Sequence, residues 1–300
     1  PPYIMSYAFT GLFDSYGSAN DLVRFIFQLD PETVPFPSVR NITGAIIIFS
    51  FTLYPYVFLI SQTSFLNQSR DIFDVSRTLG LSRFKTFFKV ALPIARPSIV
   101  AALMLVGMEV LSDFGAVEHF AIPTFTSGIF RTWFGLNDLT TAKQLASILF
   151  MIFLFLILIE KYSRRKILYT SNSTSNRELV PTPLKGYKEF FAIIICSLPI
   201  FVGFIIPFVQ LLYWTIFFDT SFFTSDFLSL IKNSLSLAVI SAILCLFIAT
   251  IINYIIRIEK NNFRRFINKV ITSGYGIPGI VLAVGVLHLF FIVDTMSYIL

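Results

Sequence analysis

The chain has 300 residues, of which 55% are hydrophobic and only 13% charged, and its mean hydropathy is +0.77. Since soluble domains carry about 25% charged residues, this composition excludes a water-soluble globular protein and predicts an all-α, polytopic membrane protein. The net charge of +6 would suit a nucleic-acid partner, but the basic residues collect between apolar segments, and we therefore expect no nucleic acid.

Seven apolar segments have the composition of membrane spans, which need about 20 apolar residues to cross a hydrocarbon core of about 30 Å. The first segment is short and begins Pro-Pro without an initiator methionine, so we expect the chain to be a fragment. The predicted spans are residues 1–13, 42–63, 98–112, 144–160, 190–216, 233–256 and 270–293.

Basic and acidic residues alternate between the segments that join these spans. Of the 23 lysines and arginines, six lie in residues 70–96, seven in 161–188 and five in 257–269. The segments between them hold most of the acidic residues outside the spans. Because cytoplasmic segments of membrane proteins carry an excess of Lys and Arg, we predict that the three basic segments are cytoplasmic and that the acidic segments face outward.

The first basic segment has the pattern of two short helices joined by a tight turn. A helix that reaches Leu79 would end at Gly80, which tolerates a positive φ. Ser82 is a suitable N-cap for a second short helix, and Pro93 and Pro97 would mark the entry into the third span. Two such helices on the cytoplasmic face would suit the binding of a partner that transmits motion.

This segment resembles the EAA loop of binding-protein-dependent ABC importer permeases, which reads E-A-A, three residues, G, nine residues, I, one residue, L-P. The spacing matches at every element, although aspartate replaces the glutamate. The resemblance implies contact with a separate ATP-binding cassette ATPase subunit. An ordinary basic loop held by anionic lipid is the alternative. The residues assigned to the coupling loop are Asp74, Val75, Ser76, Gly80, Leu81, Val90, Leu92 and Pro93.

The sequence after this loop resembles a narrower family. Residues 108–117 read MEVLSDFGAV and residues 125–136 read FTSGIFRTWFGL, which is similar to ferric-iron ABC transporter permeases. The resemblance implies a type I importer permease in the cytoplasmic (inner) membrane of a bacterium. It also implies that a periplasmic or extracellular ferric-binding protein delivers Fe(III). Permeases for thiamine, polyamines, sulfate and phosphonates share the loop and stay open as alternatives.

Two carboxylates, Glu109 and Asp113, are four residues apart and would share a helix face at the outer end of the third span. Charged groups within membranes often mark ion pathways, and oxygen ligands suit a hard cation such as Fe(III). A polar helix end paired with Arg131 is the alternative. We predict no resident metal site and no cofactor, because His119 and His288 are far apart. His288 is expected to hydrogen-bond a neighbouring helix.

Residues 161–188 are basic and rich in Ser, Thr and Asn, and we predict a cytoplasmic linker there. Residues 1–160 would form the C-terminal part of a first permease repeat and residues 189–300 the N-terminal part of a second, since repeated halves are common in transporters. A weak likeness between residues 1–5 and 278–282 supports this repeat. The whole protein would then have about twelve spans and a second EAA-like loop.

The sequence contains no phosphate-binding loop of the form G-x-x-x-x-G-K-[ST] and no recognisable catalytic constellation. We therefore predict a permease subunit and not an enzyme, with ATP hydrolysis in a partner. A secondary transporter is the alternative from another class. It would need no ATPase-binding loop, and it usually carries ion-coupling charges within its spans, of which this chain has few.

Overall fold

Every regular element in the part of the chain that the structure describes is a helix. The computed structural model describes residues 1–30, 32–165, 183–217, 224–258, 271 and 277–299. Five helical segments there are long and apolar enough to cross a membrane, which confirms the all-α polytopic prediction. These segments are Ile42–Leu66, Arg83–Ser112, Leu139–Ile159, Tyr187–Phe217 and Ser225–Ile255.

The helices are numbered in chain order, and a π-helical turn within a continuous helix is counted as part of that helix. Such turns lie at Phe87–Ala91 in α5 and at Phe201–Ile205 in α9, and a third, Arg131–Gly135, directly follows α7. The helices are α1 (Pro2–Phe13), α2 (Ser18–Phe27), α3 (Ile42–Leu66), α4 (Arg70–Thr78), α5 (Arg83–Ser112), α6 (Gly115–His119), α7 (Phe125–Phe130), α8 (Leu139–Arg165), α9 (Tyr187–Phe217), α10 (Ser225–Ile258) and α11 (Gly279–Ile299).

Helices occupy both of the outermost predicted spans. At residues 1–13 the structure has α1, which contains 12 residues. At residues 270–293 the structure has α11, which runs from Gly279 to Ile299 and contains 21 residues.

The third predicted span is longer than expected. The prolines at 93 and 97 favoured a short helix that ends before residue 98, but α5 continues without a break from Arg83 to Ser112. A proline inside a helix removes one backbone donor. In α5 a π-helical turn, Phe87–Ala91, lies just before the first of these prolines. Such turns accommodate a missing backbone hydrogen bond without ending the helix. The prediction of a separate second short helix was therefore wrong.

Two compact units divide the chain. The first comprises Pro1–Gln210 together with Gly276–Leu300, and the second comprises Leu211–Tyr275. The second unit contains the end of α9 and all of α10, whose apolar side chains are exposed along the helix. Most of the predicted linker, residues 166–182, lies outside the described residues, so the predicted repeat boundary stays a prediction.

Two apolar clusters hold the first unit together. One joins α1, α3 and α6, where small residues such as Ala45 and Ala116 allow the helices to approach each other. The other joins α7, α8 and α11 through Ile129, Leu149 and Val284. Neither cluster includes a residue of α4, so the basic segment around α4 is built separately from them.

Candidate functional site

The first half of the candidate site is α4, a short helix with defined signals at both ends. Ser69 is its N-cap and accepts a hydrogen bond from the Asp71 N–H at 3.3 Å. At the other end Gly80 has φ of 78°. Its N–H donates to the Arg77 carbonyl at 2.9 Å, and the Leu81 N–H donates to the Ser76 carbonyl at 3.1 Å. This pair of bonds is a Schellman motif, so the predicted stop at Gly80 is confirmed.

The second half of the candidate site is the beginning of α5. Ser82 is its N-cap, as predicted, and accepts from the Lys85 N–H at 3.4 Å. Because α5 continues to Ser112, the residues after the cap belong to the same helix as the membrane span. A displacement of this end of α5 is therefore passed directly to the span.

Ser76 is the buried residue of α4. It occupies the third position of the E-A-A triplet. Its hydroxyl donates to the Ile72 carbonyl at 2.6 Å, so its polar atom is satisfied within α4 and needs no partner from α5. A longer side chain at this position would separate α4 from its support.

Gln68 connects the end of α3 to the π-helical turn of α5. It is buried, and its side-chain amide donates to the Ala91 carbonyl at 2.9 Å. Beside it the rings of Phe65 and Phe87 stack with centroids 5.9 Å apart. The sequence analysis missed Gln68, because a glutamine near a helix end gives no sign of a bond to a carbonyl 23 residues away.

The outward side of this segment carries large apolar side chains. Leu79 is 76% exposed and Phe84 is 74% exposed. Val75 and Phe88 are exposed beside them, and the rings of Phe84 and Phe88 pack with centroids 4.7 Å apart. We call Val75, Leu79, Phe84 and Phe88 the apolar patch. Its residues lie in a basic segment that charge patterning assigns to the cytoplasm, where exposed apolar side chains are costly without a partner.

The other predicted loop residues occupy different surroundings. Asp74 is half-buried and forms an ion pair with Arg70 at 3.6 Å. Pro93 is exposed. Leu81, Val90 and Leu92 are half-buried. The structure thus brings the predicted residues together in one segment, and it shows that Ser76 supports the segment from inside whereas Val75 points outward.

Glu109 and Asp113 do not form the pair on one helix face that their spacing predicted. α5 ends at Ser112, and Asp113 has left the helix with φ −69° and ψ 129°. Its carboxylate accepts from the Ala116 N–H at 2.9 Å and from the next N–H at 3.3 Å. Asp113 thus caps the first turn of α6. Glu109 is exposed on α5, and whether either carboxylate contributes to a pathway stays a prediction.

Burial raises the pKa of Asp113, and the two N–H groups of α6 that it accepts from oppose this shift. The carboxylate is therefore held by hydrogen bonds in a place where its charge is poorly solvated. The predicted alternative partner, Arg131, instead lies 3.4 Å from Glu118. Asp113 thus caps the first turn of α6, and the predicted helix face shared with Glu109 is absent because the helix ends at Ser112.

The two histidines lie in separate places and contact different helices. The Lys143 ammonium on α8 donates to the His288 Nδ1 on α11 at 2.9 Å, which confirms the expected bond to a neighbouring helix. His119 lies 3.0 Å from Thr10 through its Nε2. Because the Thr10 hydroxyl donates to the Ser6 carbonyl, His119 is the donor. Among the described residues, His, Cys, Asp and Glu side chains form no group of three or more that could hold a metal ion.

Comparison with known proteins gives one family match, which spans the candidate segment. Residues 32–164 match the family model described as binding-protein-dependent transport system inner membrane component. This interval includes α3, α4, α5 and the whole candidate segment. No solved structure gives a significant match.

The individual relatives are named for the transport of two kinds of ion, Fe(3+) in one case and molybdenum or molybdate/tungstate in the others. The chain is 24% identical over 249 residues to the Fe(3+)-transport system permease protein FbpB 2 of Haemophilus influenzae, an alignment that covers 82% of this chain and 49% of that protein. It is 25% identical over 121 residues to the putative molybdenum transport system permease protein YvgM of Bacillus subtilis, covering 40% and 50%. It is 34% identical over 74 residues to the molybdate/tungstate transport system permease protein WtpB of Pyrococcus abyssi, covering 25% and 30%. The chain thus aligns with half of these proteins or less.

Proposed function

We propose that this chain forms part of the permease of an ABC importer. The premise is that residues 32–164 belong to the family of binding-protein-dependent transport inner membrane components. The chain is a multi-pass inner-membrane protein. In the proposal, separate ATPase subunits bind its segment 74–93 and drive transport. A substrate-binding protein on the outer face delivers the solute.

The apolar patch is the observation that carries this proposal. Leu79 and Phe84 extend from a cytoplasmic segment whose backbone is fixed by a Schellman motif and two serine caps. Arg77, Arg83 and Lys85 lie within two residues of them in the sequence. A partner with an apolar groove and an acidic rim would cover the patch and pair with these charges. The lipid alternative explains the basic residues but gives no reason for a rigid turn.

The structure also suggests how motion would pass from the ATPase to the membrane. The helix α4 contacts the start of α5, and Gln68 joins the end of α3 to α5 at Ala91. Binding of ATP would favour one of two arrangements of the ATPase subunits. A partner held at α4 would then displace α3 and α5 together, which would switch the pathway between outward and inward access.

Replacing Leu79 with Asp tests the docking proposal. In the full-length protein co-expressed with its ATPase, we expect Leu79→Asp to weaken ATPase co-purification about 30-fold, the effect of losing a contact worth about 2 kcal/mol. Leu136→Asp is the matched control, because Leu136 is 73% exposed in the segment after α7, which the charge pattern assigns to the outer face. Equal ATPase recovery with both variants, at equal membrane insertion, would refute docking at this patch.

For the cargo we propose Fe(III). The relative that aligns over 82% of this chain is named for Fe(3+) transport, and the motif resemblance in residues 108–136 points to the same class. Molybdate or tungstate is the second candidate, because the shorter alignments carry those names. A hard cation and a tetrahedral oxyanion need opposite charges along a pathway, so the two candidates are separable by competition.

Uptake by a deletion strain complemented with the full-length gene tests the cargo. We expect radioactive Fe(III) uptake to depend on the gene and to be unaffected by excess molybdate, tungstate, thiamine, spermidine or sulfate. If molybdate uptake depends on the gene and Fe(III) does not inhibit it, the proposed cargo is the oxyanion and not iron. This result would leave the docking proposal intact, because the coupling segment does not depend on the cargo.

We also propose that the chain contains parts of two permease repeats. Residues 1–160 would be the end of the first, 161–188 a cytoplasmic linker and 189–300 the beginning of the second. The weak likeness of residues 1–5 to 278–282 and the basic composition of the linker support this arrangement. The Fe(3+)-transport relative is about twice as long as its aligned part, so a protein of that length could contain a second coupling loop.

A further inference from the structure

The helix α2 has its polar side turned toward the protein and its apolar side turned outward. Phe25 is 85% exposed, and Leu22 and Ile26 are exposed beside it at helical spacing. On the opposite side Asn20 is buried, and the side chain of Arg24 is only 11% exposed. A surface helix in water shows the reverse pattern, with apolar residues inward and polar residues outward.

Hydrogen bonds fix this orientation. The Asn20 side-chain amide donates to the Asp14 carbonyl at 2.8 Å, and its oxygen accepts from the Phe36 N–H at 3.0 Å. At the start of α2 the Ser18 hydroxyl donates to the Gln210 side-chain oxygen at 2.8 Å. Since these buried polar groups would lose their partners if α2 rotated, the apolar side cannot turn inward.

Arg24 is held from several sides as well. Its guanidinium pairs with Asp21 at 2.7 Å and donates to the Thr33 carbonyl at 2.9 Å. It also donates to the Ser15 carbonyl. Both charges of α2 are therefore paired with each other, and the outward side consists of Leu22, Phe25 and Ile26 with no unpaired charge of its own.

The neighbours of α2 along the chain are α1 and α3. It connects the end of α1 at Phe13 to the segment before α3, which begins at Ile42. Both of these helices also expose apolar side chains, such as Ile4 and Ile46. The charge pattern places this connection on the face of the membrane opposite to the basic segments.

We propose that α2 is an interfacial helix that lies in the outer leaflet, with Leu22, Phe25 and Ile26 in contact with lipid at the boundary of headgroups and acyl chains. Helices with one apolar face bind in this way by burying it several ångströms below the headgroups. A protein partner is disfavoured, because a patch of three side chains is far below the roughly 800 Å² per partner of a stable interface. The patch also has no charge with which to orient such a partner.

Nitroxide labels measure the proposed depth directly. The full-length permease, with Cys196 and Cys245 replaced by Ser and any further cysteines removed, would receive single labels through Phe25→Cys or Ile26→Cys and be placed in lipid nanodiscs. Ile46 on α3 supplies the lipid control, and Gln28, exposed just after α2, supplies the aqueous control. We expect the ratio of oxygen to water-soluble nickel collisions to be several-fold higher at Phe25 and Ile26 than at Gln28, and close to that at Ile46.

Equal nickel access at Phe25 and Gln28 in nanodiscs would overturn the proposal. Loss of oxygen contact at Phe25 only when purified substrate-binding protein is added would also overturn it, in favour of a protein-docking surface. The labelled variants need the same unfolding temperature as the unlabelled parent. A second variant carries the label at Leu22→Cys together with Phe25→Leu, which keeps the side of α2 apolar. None of these outcomes depends on ATPase binding or on the cargo.

Discussion

Pro55 leaves a carbonyl without its helical donor, and another helix crosses α3 at that carbonyl. Proline has no N–H, so the carbonyl of Phe51, four residues earlier, lacks the usual bond. At this place α9 presents Gly203, where an added Cβ would lie 2.5 Å from the Phe51 oxygen. The two backbones thus meet directly, as small residues allow in membrane helix packing.

Replacing Gly203 with Ala should therefore destabilise the protein. The new methyl group would meet backbone that cannot rotate away, and overpacking of this kind costs about 1–3 kcal/mol. Gly107→Ala is the matched control, because Gly107 is also within a span and has nothing within 4 Å of its added Cβ. Thermal unfolding in detergent checks both. An equal unfolding temperature for the two variants would contradict the close crossing.

Asp113 offers a second test at the level of one residue, since capping and cargo binding need different chemistry. Asp113→Asn keeps an oxygen acceptor for the Ala116 and Val117 N–H groups, so we expect near-normal stability and uptake. Asp113→Ala removes the acceptor and should cost about 1 kcal/mol, typical of a lost cap. Loss of uptake in Asp113→Asn with unchanged unfolding would instead support a role in the pathway.

The pH dependence of Asp113 has a definite sign. Burial raises its pKa in the folded protein, so the folded state holds this proton more tightly than the unfolded state. Its contribution to stability is thus fully present below the unfolded pKa and is lost as pH rises through the folded pKa. Asp113→Asn should remove this part of the dependence, which denaturant unfolding across the acidic range would measure.

At the level of elements, the sequence predicted the local features of the coupling segment but not its long-range ones. Ser82 and Gly80 have short-range signals, a cap and a positive φ, and both were predicted correctly. The continuity of α5 past Pro93 was not, because a π-helical turn leaves no simple mark in the sequence. The bond from Gln68 to Ala91 also escaped prediction, since it depends on how α3 and α5 pack.

Gln68 should therefore matter for coupling more than its residue type suggests. Replacing it with Leu removes the bond to Ala91 while keeping a similar size, and we expect ATP-driven uptake to fall several-fold with ATPase binding unchanged. Gln62→Leu is the control, because Gln62 is exposed near the end of α3. Uptake and ATP hydrolysis measured together in proteoliposomes would show the difference. Normal uptake per ATP in Gln68→Leu would exclude this path.

For the whole molecule, one polar contact connects two distant parts of the chain. Lys143 and His288 are 145 residues apart in sequence and are joined at 2.9 Å. Below them Ala142, Ala146 and Val284 pack in one apolar cluster. The sequence suggested only that His288 bonds a neighbouring helix, since apolar spans of similar composition do not reveal which neighbours they choose.

A double-mutant cycle of Lys143→Ala and His288→Ala would measure this connection. We expect a coupling energy of roughly 0.5–1.5 kcal/mol, as for a single hydrogen bond, with the two single variants losing similar amounts. Thermal unfolding of the four proteins in nanodiscs is the measurement. Additive effects of the two substitutions would show that α8 and α11 are held together by their apolar cluster alone.

Because α5 is one continuous helix, a small tilt at one end produces a large displacement at the other. A helix of 30 residues is about 45 Å long at about 1.5 Å per residue. A tilt of roughly 10° about its cytoplasmic end would carry its outer end sideways by about 8 Å, as follows from that length. A modest rotation imposed at the cap of α5 would therefore suffice as the stroke of a gate at the far side of the membrane.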